Sequence, residues 1–366
     1  LETAVGDLFV APVELRCGAR IRAFMRPAGV SKHRLVTALL ALLLGGCGYQ
    51  TYQNAFGGAG VENRQFQTLF WIFFVVCAVM YLLVIAFLIA GIARRRGHGH
   101  SAEAARRQSH PLMRSLLIGW SALIGTGLAA LAIASFIADR SMANTAEHPQ
   151  LSLTVTANQW WWDVQYNSPD GSKLFRTANE LHLPVGAVAH ITLHSNDVIH
   201  SFWLPSLAGK QDLIPGRETD ITLVPNRIGV FRGQCAEFCG AEHAHMAFVV
   251  DVDSPADFVA WRDRQTQPAP VPRTPLALAG YHVVTSGRCA ECHAIAGTPA
   301  HGAKGPDLSH LATRRSIAAG MLPMRTGNLY GWVANAPALK PGTKMPVSAL
   351  EPDELHAVVA YLETLK

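Results

Sequence analysis

Apolar positions along this chain follow three patterns. Leu69 to Ala93 and Ser115 to Ala138 are runs of 25 and 24 residues without a charge, the second bounded by Arg114 and Asp139. Each is long enough to cross a bilayer as a tilted helix. From Leu151 the pattern shortens to Leu151, Leu153 and Val155, then Ile191-Thr192-Leu193, Ile221-Thr222-Leu223-Val224 and Phe248-Val249-Val250. Turn residues such as Pro169-Asp170-Gly171 and Pro215-Gly216 separate these runs. The alternation predicts an antiparallel β-sandwich or barrel of about a hundred residues, placed at 150–262. Pro268, Pro270, Pro272 and Pro275 make 263–275 a semi-rigid extended linker. The signals in 276–366 are helical. In Glu351-Pro352-Asp353-Glu354-Leu355, a proline and two acids stand where a helix start favours them, and Leu355, Val358, Val359 and Leu362 continue the apolar face.

Composition narrows the class. Charged residues are 16% of the 366, against roughly 25% in soluble chains, while the hydrophobic share is an ordinary 49%. The apolar residues are therefore concentrated in a few segments, which excludes a disordered or wholly soluble protein. The net charge of +5 is modest and sits partly in one loop, so no nucleic-acid partner is expected. That loop, 94–114, carries Arg94, Arg95, Arg96, Arg106, Arg107 and Arg114 against the single acid Glu103. The positive-inside rule puts it in the cytoplasm, so both ends of the chain face outward. Seven cysteines are too few for a disulfide scaffold, and an odd number cannot all pair. Cys77, inside the first span with Trp71, reads as a small packing residue.

Upstream of the spans, Lys32, His33 and Arg34 precede ten uncharged residues, Leu35 to Leu44. A charged start and a short apolar core read as a secretory signal over 25–46, beginning at Met25. Ten residues at 1.5 Å rise cover only about 15 Å of a hydrocarbon core about 30 Å thick, too little for a membrane helix. Leu44-Gly45-Gly46-Cys47 resembles the lipobox of bacterial lipoproteins, which implies a lipid on Cys47 as the mature N-terminus. Residues 47–68 then form an outer N-terminal segment. Residues 1–24, Cys17 included, match no pattern and read as an over-extended reading frame or an unstructured leader.

The richest chemistry lies in Cys235-Ala-Glu237-Phe-Cys239-Gly-Ala-Glu-His243-Ala-His-Met246, with His200 35 residues before Cys235. Thiolates, imidazoles and a thioether suit copper better than magnesium or calcium. A mononuclear blue-copper site uses one cysteine with two histidines and a weak methionine. Here there are two cysteines, and two thiolates can each bridge two metals. That leaves His200 and His243 as terminal ligands, with Met246 and the Glu237 carbonyl as weak outer ones. A bridged pair sharing one unpaired electron rearranges little on oxidation or reduction, which suits electron transfer. A structural zinc has no use for Met246, and a Cys235–Cys239 disulfide has no use for the histidines. His245 reads as a surface histidine, although it lies close enough to His243 to compete for the metal.

This constellation resembles the binuclear copper A domain of cytochrome c oxidase subunit II, over about Arg64 to Trp261. Gln159-Trp160-Trp161-Trp162 and Lys210-Gln211-Asp212-Leu213-Ile214-Pro215-Gly216-Arg217 are further matches. The resemblance implies that Trp160 is a surface aromatic through which an electron arrives. Packing on a strand is the alternative reading for it. The resemblance also implies that the Glu237 side chain ligates a magnesium ion shared with subunit I. A glutamate common near the start of the second helix in that family, at the mouth of a proton path, is here Leu117.

Cys289-Ala-Glu-Cys292-His293 is a C-x-x-C-H motif, in which two thiols form thioethers to haem and the histidine becomes an iron ligand. Redox dithiols and zinc knuckles share the spacing, but an exported segment suits covalent haem attachment. The region 276–366 resembles a class I cytochrome c, with Gly305-Pro306-Asp307-Leu308 as its intermediate loop. The resemblance makes Met345, in Lys340-Pro-Gly-Thr-Lys-Met345-Pro346, the sixth ligand, ahead of Met321 and Met324. Histidine and methionine ligation leaves no open position and favours electron transfer. Gly280, Tyr281 and Tyr361 form either that family's contact between first and last helices or ordinary packing.

Taken together, the resemblances imply a multidomain membrane protein: a two-helix transmembrane hairpin, an all-β cupredoxin-like Greek-key sandwich and an all-α class I cytochrome c domain. The expected role is subunit II of a respiratory haem-copper oxidase in a bacterial inner membrane, its copper and haem domains on the periplasmic side. Its expected partners are subunit I, other oxidase subunits and a cytochrome c or other periplasmic donor. Electrons would pass through covalent haem c and copper A to subunit I, where oxygen is reduced to water with proton pumping. The rival is a membrane-anchored electron carrier with no oxidase attached. A quinol-oxidase subunit is a third reading, but such proteins lack the copper ligands and the haem, both retained here.

Overall fold

The structure is a computed structural model that describes residues 53–97, 110–145, 149–169 and 173–366. The leader 1–24, the signal 25–46, Cys47 and most of the basic loop 94–114 lie outside the described residues. Helices α1 (Val61–Gly97) and α2 (His110–Thr145) outrun the predicted spans at both ends. Their membrane-compatible stretches are Val61–Arg94 and Met113–Arg140, each containing an 18-residue window, of mean hydropathy 3.2 and 2.0 respectively. Both expose apolar side chains around the whole circumference, Leu117 among them, as lipid-facing helices do. Phe87 of α1 meets Trp120 of α2 edge-on at 6.0 Å.

The first turn of α1 is tied to the sandwich. The N–H groups of Ala59, Val61 and Asn63 donate to the carbonyls of Ser206, Val224 and Leu207. The Asn63 side chain donates to the carbonyls of Ala55 and Pro205. Gly60 approaches so closely that a Cβ would meet the Leu207 carbonyl oxygen at 2.0 Å, so only glycine fits. These bonds fix the sandwich relative to the end of a membrane helix.

One sheet has the order β3-β2-β1-β5-β8, built from β1 (Leu151–Asn158), β2 (Trp161–Asn167), β3 (Lys173–Ala178), β5 (Ala189–Ser195) and β8 (Thr219–Leu223). The other has the order β4-β10-β9-β6-β7, from β4 (Glu180–Pro184), β6 (His200–Trp203), β7 (Lys210–Leu213), β9 (Gly229–Cys235) and β10 (Ala247–Asp253). Alternate residues of β1, β2, β5 and β9 point inward, and Leu153, Val155, Trp162, Val164, Leu181, Phe202 and Phe248 fill the space between the sheets. The sheets are mixed, not purely antiparallel as the alternation suggested: β1 runs parallel to β5, and β4 to β10. The chain switches sheets at Asn179, whose φ of 58° is one that asparagine tolerates, and returns beside β1.

Helix α3 (Pro255–Gln265), capped by Ser254, closes the sandwich with Trp261 against Tyr166 and Phe175. The proline-rich segment after it is extended but not free. Ala269 donates to the Ala296 carbonyl at 2.9 Å, and Pro268 presses on Gly297. The last domain packs α4 (Pro275–Ser286), α5 (Thr326–Leu339) and α6 (Pro352–Leu362) around Val284, Ile295, Leu329, Val358 and Leu362. It is not strictly all-helical, because β11 (Ser316–Ile317) and β12 (Leu322–Pro323) form a short ladder. Helices α4 and α6 cross at Gly280, where a Cβ would meet the Ala357 carbonyl oxygen at 1.9 Å. Tyr281 and Tyr361 meet edge-on beside that crossing.

Candidate metal centre

Strand pairing brings the distant ligands together. Phe202 of β6 lies opposite Cys235 of β9, so His200, two residues before Phe202, is carried to the end of the cysteine strand. Cys235, Cys239, His200 and Met246 are all buried, and His243 is half-buried. The two sulfurs are 3.7 Å apart. His200 Nδ1 stands 3.8 Å from Cys235 Sγ, and His243 Nδ1 stands 3.7 Å from Cys239 Sγ. Met246 Sδ is 3.9 Å from Cys239 Sγ, and the Glu237 carbonyl oxygen is 3.2 Å from Cys235 Sγ. Each sulfur therefore has one imidazole and one weaker donor beside it. His245 is not part of the group: its Nδ1 bonds Glu242 at 2.6 Å.

Neighbouring groups aim the donors. Asp197 Oδ1 accepts from His200 Nε2 at 2.9 Å, which leaves the Nδ1 lone pair facing the sulfurs. Burial opposes the Asp197 charge, but His200 and the backbone N–H groups of Gln159 and Val198 hold its carboxyl below the usual range. The Cys239 carbonyl accepts from Gln159 Nε2 and from Trp160 Nε1, pinning the loop. Beneath the ligands, Trp162 meets His200, Phe202 and Phe248 edge-on. The hydrogen bond shared with Cys239 brings the Cys235 thiol down to about 3 against its burial, while Cys235 and burial push the Cys239 thiol far up. One thiolate and one thiol therefore share the proton here, both sulfurs could be anionic only with a cation between them, and soft donors in this number fit copper. Glu237 directs its half-exposed carboxylate outward, 4.0 Å from Lys210 Nζ.

Trp160 is not at the surface. It is only 8% exposed, and the loop after α5 covers it: a Cβ on Gly342 would lie 3.0 Å from its ring. Lys340 from the same loop is 2% exposed and donates to the carbonyls of Trp160, His245 and Ala318 at 2.9, 2.8 and 3.1 Å. Burial pushes its ammonium down to about 8.

In the last domain, His293 Nδ1 lies 2.8 Å from the Pro306 carbonyl and donates to it, leaving Nε2 free to bind iron. Burial pushes this imidazole down, which favours the neutral, metal-binding form. Gly305 faces His293, where a Cβ would come within 2.8 Å of the ring. Cys289 and Cys292 are half-buried one turn apart. Two thiols and an imidazole at one surface fit covalent haem attachment. Met321 and Met324 pack against the domain core, while Met345 is half-buried in the loop that also carries Lys340.

A second charged group joins the two domains away from the sulfurs. His182 Nδ1 bonds Asp253 at 2.7 Å, and its Nε2 faces Glu180 and Asp251 at 3.6 and 3.8 Å. Arg315 of the last domain grips Asp251 through two nitrogens at 2.7 and 3.1 Å. Glu180, His182 and Asp251 are close enough to hold a metal, but His182 and Arg315 already supply the positive charge there. Burial opposes the His182 charge, yet Asp253 and Glu180 raise it from 6.5 to about 9. A raised folded-state value stabilises fully below about pH 6.5 and is lost as pH climbs through 9. At 1.36 kcal/mol per unit this is at most about 3 kcal/mol. Thermal unfolding of the purified chain should therefore shift to lower temperature between pH 6.5 and 9. His182→Gln should flatten that profile, and a flat wild-type profile contradicts the assignment.

A soft-donor cluster in a β-sandwich, joined to a haem-binding helical domain and carried on a membrane hairpin, defines a membrane-anchored electron-transfer protein. Residues 167–253 match the family described as cytochrome C oxidase subunit II, periplasmic domain, and residues 277–366 match cytochrome c. The copper-domain match and the cytochrome c match follow one another in a single chain, with the haem-binding part after the copper-binding part. Cytochrome c oxidase subunit 2 of Alkalihalophilus pseudofirmus is 29% identical, over 91% of this chain and 96% of that protein. Its counterpart in Bacillus subtilis is 28% identical, over 91% and 97%. The solved periplasmic domain of subunit II of cytochrome oxidase (CoxB) of Bradyrhizobium japonicum is 31% identical over 33% of this chain and 96% of that one, with a TM-score of 0.31. The two matched domains imply copper A in the sandwich and covalent haem c in the helical domain.

Proposed function

We infer that this chain is the electron-receiving subunit of a haem-copper oxidase. It takes electrons from a cytochrome c donor and delivers them to subunit I, where oxygen is reduced to water with proton pumping. The observation that carries this reading is the Cys235–Cys239 pair, flanked by an imidazole on each side and lying beneath the chain's own haem domain. His200, Cys235, the Glu237 carbonyl, Cys239, His243 and Met246 would hold copper. Cys289 and Cys292 would carry the haem, and His293 and Met345 would bind its iron. When bound, the two centres supply one-electron carriers that change oxidation state with little rearrangement.

The protein's own contribution is to hold these donors still. Asp197 fixes the face of His200, the Pro306 carbonyl fixes that of His293, and the buried sandwich excludes water from the sulfurs. Trp160 touches the haem-domain loop on one side and the Cys239 carbonyl on the other, which suits it to relay electrons between them. The outward Glu237 carboxylate is positioned to share a magnesium ion with subunit I. The signal over 25–46, the lipobox at Cys47 and the basic loop 94–114 support a bacterial inner-membrane protein with both soluble domains in the periplasm.

Purification in mild detergent tests the reading. The chain should bring with it a larger haem-containing partner, and the complex should consume oxygen when given reduced cytochrome c. Recovery of the chain alone, loaded with metal and haem, would instead show a membrane-anchored carrier.

A further inference from the structure

The segment from Lys340 to Met345 touches the surroundings of the copper ligands at three points. Lys340 is the deepest. An ammonium has three donors and no acceptor, and here each donor meets a carbonyl, two of them from the copper domain. One of these belongs to Trp160, and the other to His245, next to Met246. Gly342, at φ +85°, lets the loop lie flat on the Trp160 ring. Lys344 reaches Asp197, the partner of His200, at 3.3 Å. That last pair is exposed on the lysine side and contributes little. Farther along the same face, Ala247 donates to the Ala319 carbonyl, and Arg315 grips Asp251. A lysine in a proline-glycine loop is ordinarily a solvated surface residue, so complete burial with every donor used marks a purpose-built contact.

We propose that Lys340 is a positioning residue that seats the haem domain over Trp160, so that the copper domain's electron-accepting face is occupied by the chain's own cytochrome domain. An outside donor then meets the haem domain and not Trp160. The contact also fixes the handoff, because the loop that seats on Trp160 carries Met345, and Trp160 is itself bonded to the Cys239 carbonyl. The positioning role rests on the electron-transfer reading above, whereas the docking itself does not.

Hydroxyl-radical footprinting of the intact complex, read by mass spectrometry at Trp160, tests the docking directly. Lys340→Met leaves buried carbonyls without donors and should raise Trp160 labelling about tenfold or more over wild type. Gly342→Asn tolerates the positive φ but pushes against the ring; it should raise labelling too, and it serves if the first variant does not fold. Rapid-mixing spectroscopy supplies the second readout. In both variants the haem should be reduced at the wild-type rate, while the following transfer to copper slows about tenfold. Trp160 labelling as fast in wild type as in a folded variant would overturn the docking. Unchanged transfer to copper in a folded variant with Trp160 uncovered would overturn the positioning role. A chain that lacked copper would fail the functional reading while leaving the footprint of Trp160 intact, so the two failures are distinguishable.

Discussion

Replacing Cys235 by serine in the assembled complex is expected to abolish the copper centre and to lower oxygen consumption from reduced cytochrome c at least about a hundredfold. Changes to groups that merely orient a metal ligand already cost about 10- to 100-fold in affinity or activity. Cys235 is not peripheral: His200, the Glu237 carbonyl and Cys239 all surround its sulfur within 4 Å. A serine hydroxyl is a harder donor, ionises far less readily than a thiol and holds a soft metal poorly. The fold should survive, because serine is close to cysteine in size and Cys235 is one small member of a core filled mainly by side chains such as Trp162, Phe202 and Phe248. Copper content, the visible spectrum and oxygen uptake of wild type and variant, measured side by side, check this. Normal oxygen uptake in the serine variant would sink the assignment.

The second large effect is expected in the haem domain. Changing both Cys289 and Cys292 to alanine removes the two attachment atoms, so the chain should show no haem staining after denaturing electrophoresis. Oxygen uptake should fall with it, since the face over Trp160 is covered by a domain that no longer carries an electron. His293 stays aimed by the Pro306 carbonyl, so any haem retained would be non-covalent and removable by denaturant. A haem band that persists in the double variant would contradict the motif's role.

Much of this was legible because it depends on local spacing. Two apolar runs gave the hairpin, alternation gave the sandwich, and C-x-x-C-H gave the haem attachment. The copper group was legible because five of its residues lie from Cys235 to Met246, and residue types alone argued that His200 belongs with them. His243 was preferred to His245 in the sequence, with His245 near enough to compete, and the fold turns His245 toward Glu242. Asp197 carried no signal by itself, since an aspartate three residues before a histidine is commonplace. The parallel pairings were hidden because alternation records which face is buried, not which strand is the neighbour. The cover over Trp160 and the burial of Lys340 carried no signal for one shared reason: both are created by one domain docking on another, and spacing within either domain says nothing about that.

The central claim is that one chain carries a shared-electron copper pair and a covalent haem c as successive carriers. Metal analysis with electron paramagnetic and optical spectroscopy of the purified full-length complex tests it most directly. The expected result is two coppers per chain sharing a single unpaired electron, with one haem that survives denaturation. Zinc at Cys235 and Cys239, or a copper signal from one isolated ion, would contradict it.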